Sequence, residues 1–317
     1  MHGVFLDVST VTDGDLDLSP LRATLASWAF NELTAPGDIA HAIRDATIVV
    51  SNKAMLDRAA LEGATRLRLI CIAATGTNNI DLDAAYAADI AVCNVSGYAT
   101  TSVVEHVFMV MLALRHRLAE HTAAVHQGLW QQASRFSMLD FPFRELSGQT
   151  LGIIGYGELG KAVADIGRAF GMQVLVAERA GATVRPGRVA FDHLLDQADV
   201  ISLHCPLTPA TKNLLTMEAF RKMRNDAILI NTARGGIANE MDLLKAVQSG
   251  EIAGAAVDVL TTEPPVSGNP LLDVQLPNLI VTPHIAWAGR HARQRLIVEL
   301  AGNIRAFLDN KPRNLVA

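Results

Sequence analysis

A glycine-rich loop constrains the fold of this 317-residue chain more than any other feature. Gly155, Gly157 and Gly160 follow the strand-like run TLGII and open the helical pattern ELGKAVADIGRAF. In such a loop the first glycine permits a tight turn, the second lets a pyrophosphate approach the backbone, and the third packs helix against strand. The helix N-terminus adds unpaired N–H groups and a positive dipole end for the phosphates. The loop therefore predicts a doubly wound, dinucleotide-binding domain.

An acidic residue stands where such a domain needs one. About twenty residues after the loop, the next strand-like run ends at Glu178, whose carboxylate suits the two hydroxyls of a ribose. Its negative charge would repel the 2′-phosphate of NADP, so the sequence favours NAD. Arg179 follows directly and is able to pair with that phosphate, so NADP is not excluded. A structural glycine turn beside an unrelated surface glutamate is the alternative to a cofactor site.

Strand and helix patterns alternate in both halves of the chain. After the connector FPFRELSG, six strand-like runs recur, the number that a doubly wound domain requires: TLGIIG, QVLVAE, ADVISLHC, AILINTA, AGAAVDVL and NLIVTPH. Before the connector, four runs are strand-like: GVFLDV, TIVVS, LRLICIAAT and IAVCNV. Such alternation is typical of parallel sheets covered by helices. We predict an α/β fold with two parallel-sheet domains, which also suits the chain length.

Composition and charge exclude several classes of partner. The net charge is −5 with no basic stripe, so neither nucleic acid nor an anionic membrane is expected as the main partner. The N-terminus lacks the basic region of a signal peptide, and the longest apolar run, VFMVMLAL, is too short to span a membrane. Three cysteines, few and odd in number, indicate reduced thiols and a cytoplasmic location.

Residues 100–127 are predicted to form one long helix that is apolar on most of its surface. Such a helix must be covered by the core or by another subunit. His116, His121 and His126 recur along it every five residues, whereas helical metal-binding pairs need a spacing of three or four. We therefore interpret these histidines as polar helix surface and predict no metal site.

Four polar residues stand at or just beyond the ends of successive predicted strands, where doubly wound sheets bind ligands. They are Arg234, Asp258, Glu263 and His284. Each has a structural alternative: a solvated turn arginine, a buried cap, a loop charge and a core histidine. Together they match the reduction of a 2-keto acid, which needs a cation for the carboxylate, a hydride source and a proton donor. Arginine binds carboxylates bidentately, histidine exchanges protons near neutral pH, and a carboxylate partner keeps a histidine protonated.

The sequence resembles the D-isomer-specific 2-hydroxyacid dehydrogenase family and, within it, the glycerate dehydrogenase/hydroxypyruvate reductase branch. The resemblance covers essentially the whole chain. The matching stretches are AATGTNNIDLDAA, TLGIIGYGELG, SLHCPLT, LINTARGG, AAVDVLTTEPP and VTPHIAW. It implies that Arg234 binds the substrate carboxylate, that His284 is the acid/base and that Glu263 is its partner.

The resemblance also implies the domain plan and the binding residues. Residues 1–98 and 288–317 would form a flavodoxin-like substrate domain, and residues 99–287 the NAD-binding Rossmann domain. Backbone N–H groups around Thr75 and Gly76 would bind the substrate carboxylate in the cleft, and Lys53 is either a further substrate contact or a solvated lysine. Cofactor contacts are implied for Thr101, Gly155, Tyr156, Gly157, Glu158, Leu159, Gly160, Glu178, Arg179, His204, Cys205, Pro206, Thr211, Thr232, Ala233, Asp258, His284 and Ala286.

Family members are typically homodimers in which the long helix and the arm after it wrap the partner. This would explain the nearly all-apolar segment 103–114. Asn78 departs from the family pattern, because many members have an aspartate there, although TGTNN resembles the glycerate dehydrogenase branch. The side chain of the keto acid stays open; Trp287 and Trp130 are either pocket walls or merely core and interface residues.

We expect a small 2-keto or 2-hydroxy acid as substrate, with hydroxypyruvate/D-glycerate or glyoxylate/glycolate favoured. A phosphoglycerate dehydrogenase-like enzyme is an alternative, although no basic cluster for a phosphate is obvious. Glu263 argues against a formate-oxidising relative, which has glutamine there, but not against a phosphite-oxidising one. A non-catalytic NAD-sensing corepressor shares the fold and the Arg/Glu/His set, but usually carries peptide-binding and tail segments that are not evident here.

Overall fold

The computed structural model describes all 317 residues, and the chain divides into two compact units. The first unit comprises residues 1–99 and 287–317, and the second comprises residues 100–286. Each unit is built around its own parallel β-sheet. The two predicted parallel-sheet α/β domains are therefore present.

The first unit contains a five-stranded sheet of short, mostly buried strands. Their bounds are β1 His2–Phe5, β2 Ser27–Phe30, β3 Ile48–Ser51, β4 Leu69–Ile72 and β5 Ala91–Cys93. All neighbours are parallel, and their order is β2-β1-β3-β4-β5. This is the flavodoxin-like order, as predicted. The strand β2, SWAF, was not predicted; its only described neighbour is β1, and its side chains are exposed or half-buried.

Four short helices connect these strands: α1 Ser19–Arg22, α2 Ile39–Ile43, α3 Arg58–Glu62 and α4 Leu82–Ala87. The last two begin at aspartate caps. Asp57 accepts from the Ala60 N–H at 2.9 Å, and Asp81 accepts from the Ala84 N–H at 2.8 Å. These bonds satisfy N–H groups that a helix start leaves unpaired.

The second unit contains a six-stranded parallel sheet that includes all six predicted strands. Their bounds are β6 Thr150–Ile154, β7 Gln173–Val176, β8 Val200–Leu203, β9 Ile228–Asn231, β10 Gly254–Val257 and β11 Leu279–Val281. Their order is β11-β10-β9-β8-β6-β7. A single parallel bridge between Ala177 and Val189 extends the sheet beyond β7. With that bridge as the third position, the order becomes 3-2-1-4-5-6 of a dinucleotide-binding fold, followed by one further strand.

Six helices belong to the second unit: α5 Thr100–Arg115, α6 Leu118–His126, α7 Glu158–Ala169, α8 Phe191–Gln197, α9 Met217–Lys222 and α10 Glu240–Ser249. The helix α7 packs closely on β6, the first strand of this unit, since a Cβ at Gly167 would lie 2.6 Å from Leu151 Cδ2. After β11 the chain returns to the first unit with α11, Arg290–Leu308. No helix is long and apolar enough to span a membrane.

The predicted single helix over residues 100–127 is wrong: the structure has two helices, α5 and α6. The guanidinium of Arg115 is buried and donates to the carbonyl oxygens of Asp199 and Asp226, which ties the end of α5 to the sheet unit. Arg117 then takes a left-handed conformation at φ 50°, and its Nε donates to Glu120 Oε1 at 2.9 Å. The helix direction changes there because a left-handed residue cannot continue an α-helix.

Candidate active site

The polar residues predicted at the strand ends lie along one edge of the second sheet. Arg234 follows β9, Asp258 and Glu263 follow β10, and His284 follows β11. These three strands are consecutive neighbours and all parallel, so their carboxyl ends meet at the same edge. Ligands of doubly wound sheets bind beyond this edge.

His284 and Glu263 form a direct pair. Nδ1 of the imidazole lies 2.6 Å from Oε2 of the carboxylate, and the side chains are 27% and 33% exposed. A carboxylate only accepts, so Nδ1 is the donor, and this fixes the tautomer and the ring orientation. The other carboxylate oxygen, Oε1, accepts from the Leu260 N–H at 2.8 Å. Glu263 is thus held in place while it faces the histidine.

His284 has an unusual backbone, with φ at +54°. Asp258, buried beneath it, organises the loop after β11. The Asp258 carbonyl oxygen accepts from the His284 N–H at 2.8 Å. Its carboxylate accepts from the Ile285 and Ala286 N–H groups, both at 2.9 Å. The imidazole is therefore presented by a loop folded around one carboxylate.

Arg234 lies in an equally defined turn. The Asn231 side chain donates to the Arg234 carbonyl oxygen at 3.0 Å and accepts from the Ala233 N–H at 3.1 Å. The Arg234 side chain is exposed, and its Nη1 donates to the Ala233 carbonyl at 2.7 Å. The turn therefore presents a permanent cation at the edge that carries His284.

The glycine loop has the geometry of a phosphate cradle. A Cβ at Gly155, where φ is +95°, would lie 2.5 Å from the Cys205 backbone N, and a Cβ at Gly160 would lie 2.1 Å from the Gly155 carbonyl oxygen. A Cβ at Gly157 would meet no atom within 4 Å. Two glycines are thus required by the chain itself, whereas Gly157 borders open space at the N-terminus of α7. That open space is where a pyrophosphate would fit.

Glu178 lies two residues beyond the end of β7, the second strand of this unit, and it is ion-paired. Arg185 donates from Nε to Oε2 at 2.6 Å and from Nη2 to Oε1 at 2.7 Å, and the Arg179 N–H donates to Oε1 at 3.0 Å. The bonds from Arg185 lower the pKa of the carboxyl to about 2, although its side chain is only 3% exposed. Sequence reasoning missed Arg185, because it lies seven positions after its partner in a loop without a regular pattern.

Buried polar atoms near the loop also fit a cofactor. His204 Nδ1 and Thr232 Oγ1 are shielded from solvent and have no hydrogen-bond partner, although both residues were predicted cofactor contacts. The Ser202 hydroxyl lies 2.8 Å from His204 Nε2, and desolvation lowers the pKa of this histidine to about 4. Burial raises the pKa of the neighbouring Cys205 thiol. Buried polar groups without partners are rare in folded proteins, so these atoms are consistent with a bound polar ligand.

Other predicted cofactor residues lie at the rim of this region. Thr211 Oγ1 donates to the Pro206 carbonyl at 2.7 Å, which ties the loop after β8 together. The guanidinium of Arg188 lies 5.2 Å from the Tyr156 ring centre. The Thr100 hydroxyl donates to Glu158 at 2.5 Å, joining the start of α5 to the glycine loop. Leu159 is half-buried at the start of α7, and Thr101 is exposed on α5.

The predicted substrate residues Lys53, Thr75 and Gly76 lie in the first unit. Lys53 belongs to the turn after β3, which is folded on the buried carboxylate of Asp7: this carboxylate accepts from the Lys53 N–H at 2.5 Å and the Ala54 N–H at 2.8 Å. Thr75 Oγ1 donates to the Val95 carbonyl at 2.9 Å. Sequence reasoning did not identify Asp7, whose position directly after β1 was the available signal.

Of the three histidines predicted on a long helix, His116 lies in the turn between α5 and α6 and His121 lies on α6, and both contact aromatic residues. His116 lies 4.4 Å from the Phe143 ring, and His121 Nε2 lies 3.2 Å from the Phe141 carbonyl oxygen. No three His, Cys, Asp or Glu side chains lie close enough together to hold a metal ion. Trp287 meets Tyr98 edge to face within the first unit, and Trp130 Nε1 donates to the Phe136 carbonyl.

Comparison with known proteins agrees with this geometry. Residues 108–286 match the family model of the D-isomer specific 2-hydroxyacid dehydrogenase, NAD binding domain. The chain is 42% identical to glycerate dehydrogenase of Methylorubrum extorquens, over 95% of this chain and 97% of that protein. It is 36% identical to hydroxypyruvate reductase of Blautia hydrogenotrophica, over 100% and 99%. The structure of D-lactate dehydrogenase from Aquifex aeolicus, complexed with NAD and lactic acid, superposes with a TM-score of 0.84 at 28% identity, over 99% of this chain and 98% of that one.

The chain belongs to the D-isomer specific 2-hydroxyacid dehydrogenase family. Its relatives place it in the glycerate dehydrogenase/hydroxypyruvate reductase branch. It is an NAD-dependent oxidoreductase that interconverts 2-keto and 2-hydroxy acids, which confirms the predicted class, reaction and cofactor.

Proposed function

We propose that this enzyme reduces hydroxypyruvate to D-glycerate or glyoxylate to glycolate, reversibly, with NADH as the reductant. The observation that carries this proposal is the His284–Glu263 pair, 2.6 Å apart, on the sheet edge that also carries Arg234. A cation, a proton donor and a charged partner of the donor are what the reduction of a small keto acid requires. The names of the relatives support the two substrates.

We propose the following division of labour. Arg234 binds the substrate carboxylate with its planar guanidinium. His284, protonated and held by Glu263 at Nδ1, gives a proton from Nε2 to the carbonyl oxygen and becomes neutral. NAD, when bound in its reduced form, supplies the hydride that adds to the carbonyl carbon. Glu263 stabilises the imidazolium before transfer, and the reverse steps oxidise the hydroxy acid.

The remaining predicted contacts stay part of the proposal. Gly157 and the start of α7 would bind the pyrophosphate, Glu178 the ribose, and Thr232 with Asp258 the nicotinamide end. The negative charge of Glu178 favours NAD over NADP. Arg179 is able to pair with the 2′-phosphate of NADP, and Arg185 neutralises Glu178, so binding of NADP stays an alternative. In the first unit, Thr75, Gly76 and Lys53 would contribute to substrate binding.

A substrate panel tests the proposal. We would measure NADH and NADPH oxidation in parallel with hydroxypyruvate, glyoxylate, pyruvate and 3-phosphohydroxypyruvate. The proposal expects the highest kcat/KM for one of the first two with NADH. Turnover of none of these acids would contradict it and would favour a non-catalytic NAD-binding protein. A preference for the phosphorylated acid would instead support a phosphoglycerate dehydrogenase-like enzyme.

One substitution tests the assigned acid. His284→Ala removes the proton donor but no group of the glycine loop, so turnover should fall by at least about 100-fold while NADH binding stays close to wild type. Rapid kinetics and NADH fluorescence titration would measure the two effects. If His284→Ala retained the wild-type rate, the acid/base assignment would be wrong.

Two coarser features complete the proposal. We propose a cytoplasmic enzyme, because all three cysteines are free thiols, including Cys71 and Cys93, whose sulfur atoms lie 3.3 Å apart. We also propose a homodimer, because α6 and the segment after it expose several large apolar side chains, whereas most apolar side chains of α5 are buried within this chain.

A further inference from the structure

Behind the loop that presents His284 lies a second histidine that the proposed reaction does not use. His106 is on α5 and is buried. Its Nε2 lies 3.2 Å from Thr282 Oγ1 and 3.8 Å from Asp258 Oδ1. We propose that His106 and Thr282 are positioning residues: through Asp258 they hold the backbone that presents His284 to the substrate. This inference rests on the proposed role of His284 as the acid.

Elementary chemistry fixes the direction of each hydrogen bond in the network formed by His106, Thr282 and Asp258. The Thr282 hydroxyl has one proton, and it donates to Asp258 Oδ1 at 2.5 Å, because a carboxylate only accepts. The Thr282 oxygen must therefore accept from His106, which makes Nε2 the protonated nitrogen of that ring. Burial lowers the pKa of His106, so the ring is neutral and fits this role as a simple donor. The hydrogen-bond network therefore runs from His106 through Thr282 to Asp258.

Asp258 in turn folds the catalytic loop. Consecutive N–H groups of residues 284, 285 and 286 all point at this one residue, to its carbonyl oxygen, Oδ1 and Oδ2. Oδ1 thus accepts two bonds, from Thr282 and from the Ile285 N–H. If the Thr282 hydroxyl were removed, the carboxylate would keep its two bonds from the loop itself but lose the bond that ties it to Thr282 and His106, so the loop would be held less firmly.

The loop needs such support because of the backbone at His284. A non-glycine residue at φ +54° is held in a sparsely populated, strained region of backbone conformation. Unrestrained, the residue would relax towards negative φ and turn its side chain away from Glu263. Misplacement of a catalytic group by about 1 Å can cost about 100-fold in rate. The buried hydrogen-bond network that starts at His106 therefore acts on kcat, although His106 is remote from His284 in sequence.

A valine/serine pair at position 282 tests the inference. Thr282→Val keeps the shape of the side chain but removes the hydroxyl, whereas Thr282→Ser keeps the hydroxyl. We expect Thr282→Val to lower kcat about 10- to 100-fold, with KM for the keto acid and the NADH Kd changed by less than about threefold. Thr282→Ser should restore kcat to within about threefold of wild type. Thr24→Val, which removes a half-buried hydroxyl bonded to Leu21 in the first unit, is the matched control and should leave kcat unchanged.

Substitutions of His106 provide a second, independent test if Thr282→Val folds poorly. His106→Leu removes the donor and should lower kcat in the same range, while His106→Gln retains an N–H donor and should recover part of it. In a double-mutant cycle, the effects of His106→Leu and Thr282→Val on kcat should be strongly non-additive, because both remove the same hydrogen-bond network.

The outcomes separate this inference from the proposed function. If His284→Ala is inactive but Thr282→Val keeps wild-type kcat, or Thr282→Ser loses as much as Thr282→Val, the positioning role is wrong and the proposed function stands. If Thr282→Val weakens NADH binding but leaves kcat unchanged, the hydrogen-bond network serves cofactor binding and the inference is overturned. If the wild-type enzyme turns over no 2-keto acid, both fall together.

Discussion

At the scale of single residues, the charge of Glu263 matters as much as its position. Its two oxygens accept from His284 Nδ1 and from the Leu260 N–H, so a glutamine could keep the second contact but not the charge. Glu263→Gln removes the anion that stabilises the protonated imidazole, so kcat for the reduction of hydroxypyruvate at neutral pH should fall about 10-fold or more. Steady-state kinetics measure this loss. A wild-type kcat in Glu263→Gln would reject the pairing.

Two buried histidines, His204 and His106, also make the stability of the fold depend on pH. Desolvation lowers the pKa of His204 to about 4, and burial also lowers that of His106. In the unfolded chain a histidine takes up a proton near pH 6.5. For His204 the folded state is therefore favoured fully above about pH 6.5, and this contribution is lost as the pH falls towards 4, by at most about 1.4 kcal/mol per pH unit. His106 contributes in the same direction.

A variant isolates the contribution of His204. His204→Asn cannot titrate in this range, so its free energy of unfolding should fall less between pH 7 and pH 5 than that of the wild type. Urea unfolding without cofactor at the two pH values measures the difference. The exposed His126, changed to asparagine, is the control and should keep the wild-type slope. Equal slopes for wild type and His204→Asn would show that His204 is protonated in the folded chain.

At the scale of elements, the glycine loop contains one glycine that the fold requires, Gly160, and one that we assign to the ligand, Gly157. A Cβ at Gly160 would collide with the Gly155 carbonyl, whereas a Cβ at Gly157 would meet nothing. Gly160→Ala should therefore lower Tm by several degrees, while Gly157→Ala should keep Tm and weaken NADH binding about 10-fold or more. Thermal unfolding and fluorescence titration measure the two quantities. Unimpaired NADH binding by Gly157→Ala would contradict the pyrophosphate assignment.

The elements also show what sequence patterns can and cannot predict. All six strands of the second sheet were predictable, because they are short runs rich in apolar residues and separated by turn or helical patterns. The edge strand β2 was not, because SWAF is short and lacks a buried run. The end of α5 depends on Arg115 reaching the carbonyls of Asp199 and Asp226, residues remote in sequence that only the fold brings together.

The same distinction applies to the site. The pairing of Glu263 with His284 and the turn of Arg234 follow strand ends and were predictable. The bond between Arg185 and Glu178 depends on a loop with no regular pattern. His106 gave one signal, a lone histidine within an apolar helical run, but its partner Thr282 lies 176 positions further along the chain. Only the packing of α5 against the sheet joins them.

At the scale of the whole molecule, the segment between α6 and β6 is the surface at which we predict that two copies of the chain associate. Residues 127–149 connect two elements without any helix or strand, which is long for a compact domain and typical of functional or interface segments. It exposes Trp130, Phe136, Leu139 and Phe143, with Phe136 95% exposed. Large contiguous apolar surfaces are uncommon on monomeric proteins, so a second copy is the partner that we predict for this segment.

This prediction has a direct test in sedimentation velocity. The wild-type protein should sediment as a dimer at micromolar concentration, because a stable interface buries at least about 1,200 Å² and the exposed segment is long enough to supply it. The double substitution Phe136→Glu and Leu139→Glu adds two charges to the apolar surface and should shift the protein towards the monomer. Tyr86→Glu changes an equally prominent aromatic residue on α4 of the first unit and should leave the dimer intact. A monomeric wild type, or a double variant that sediments like the wild type, would show that this segment does not form the interface.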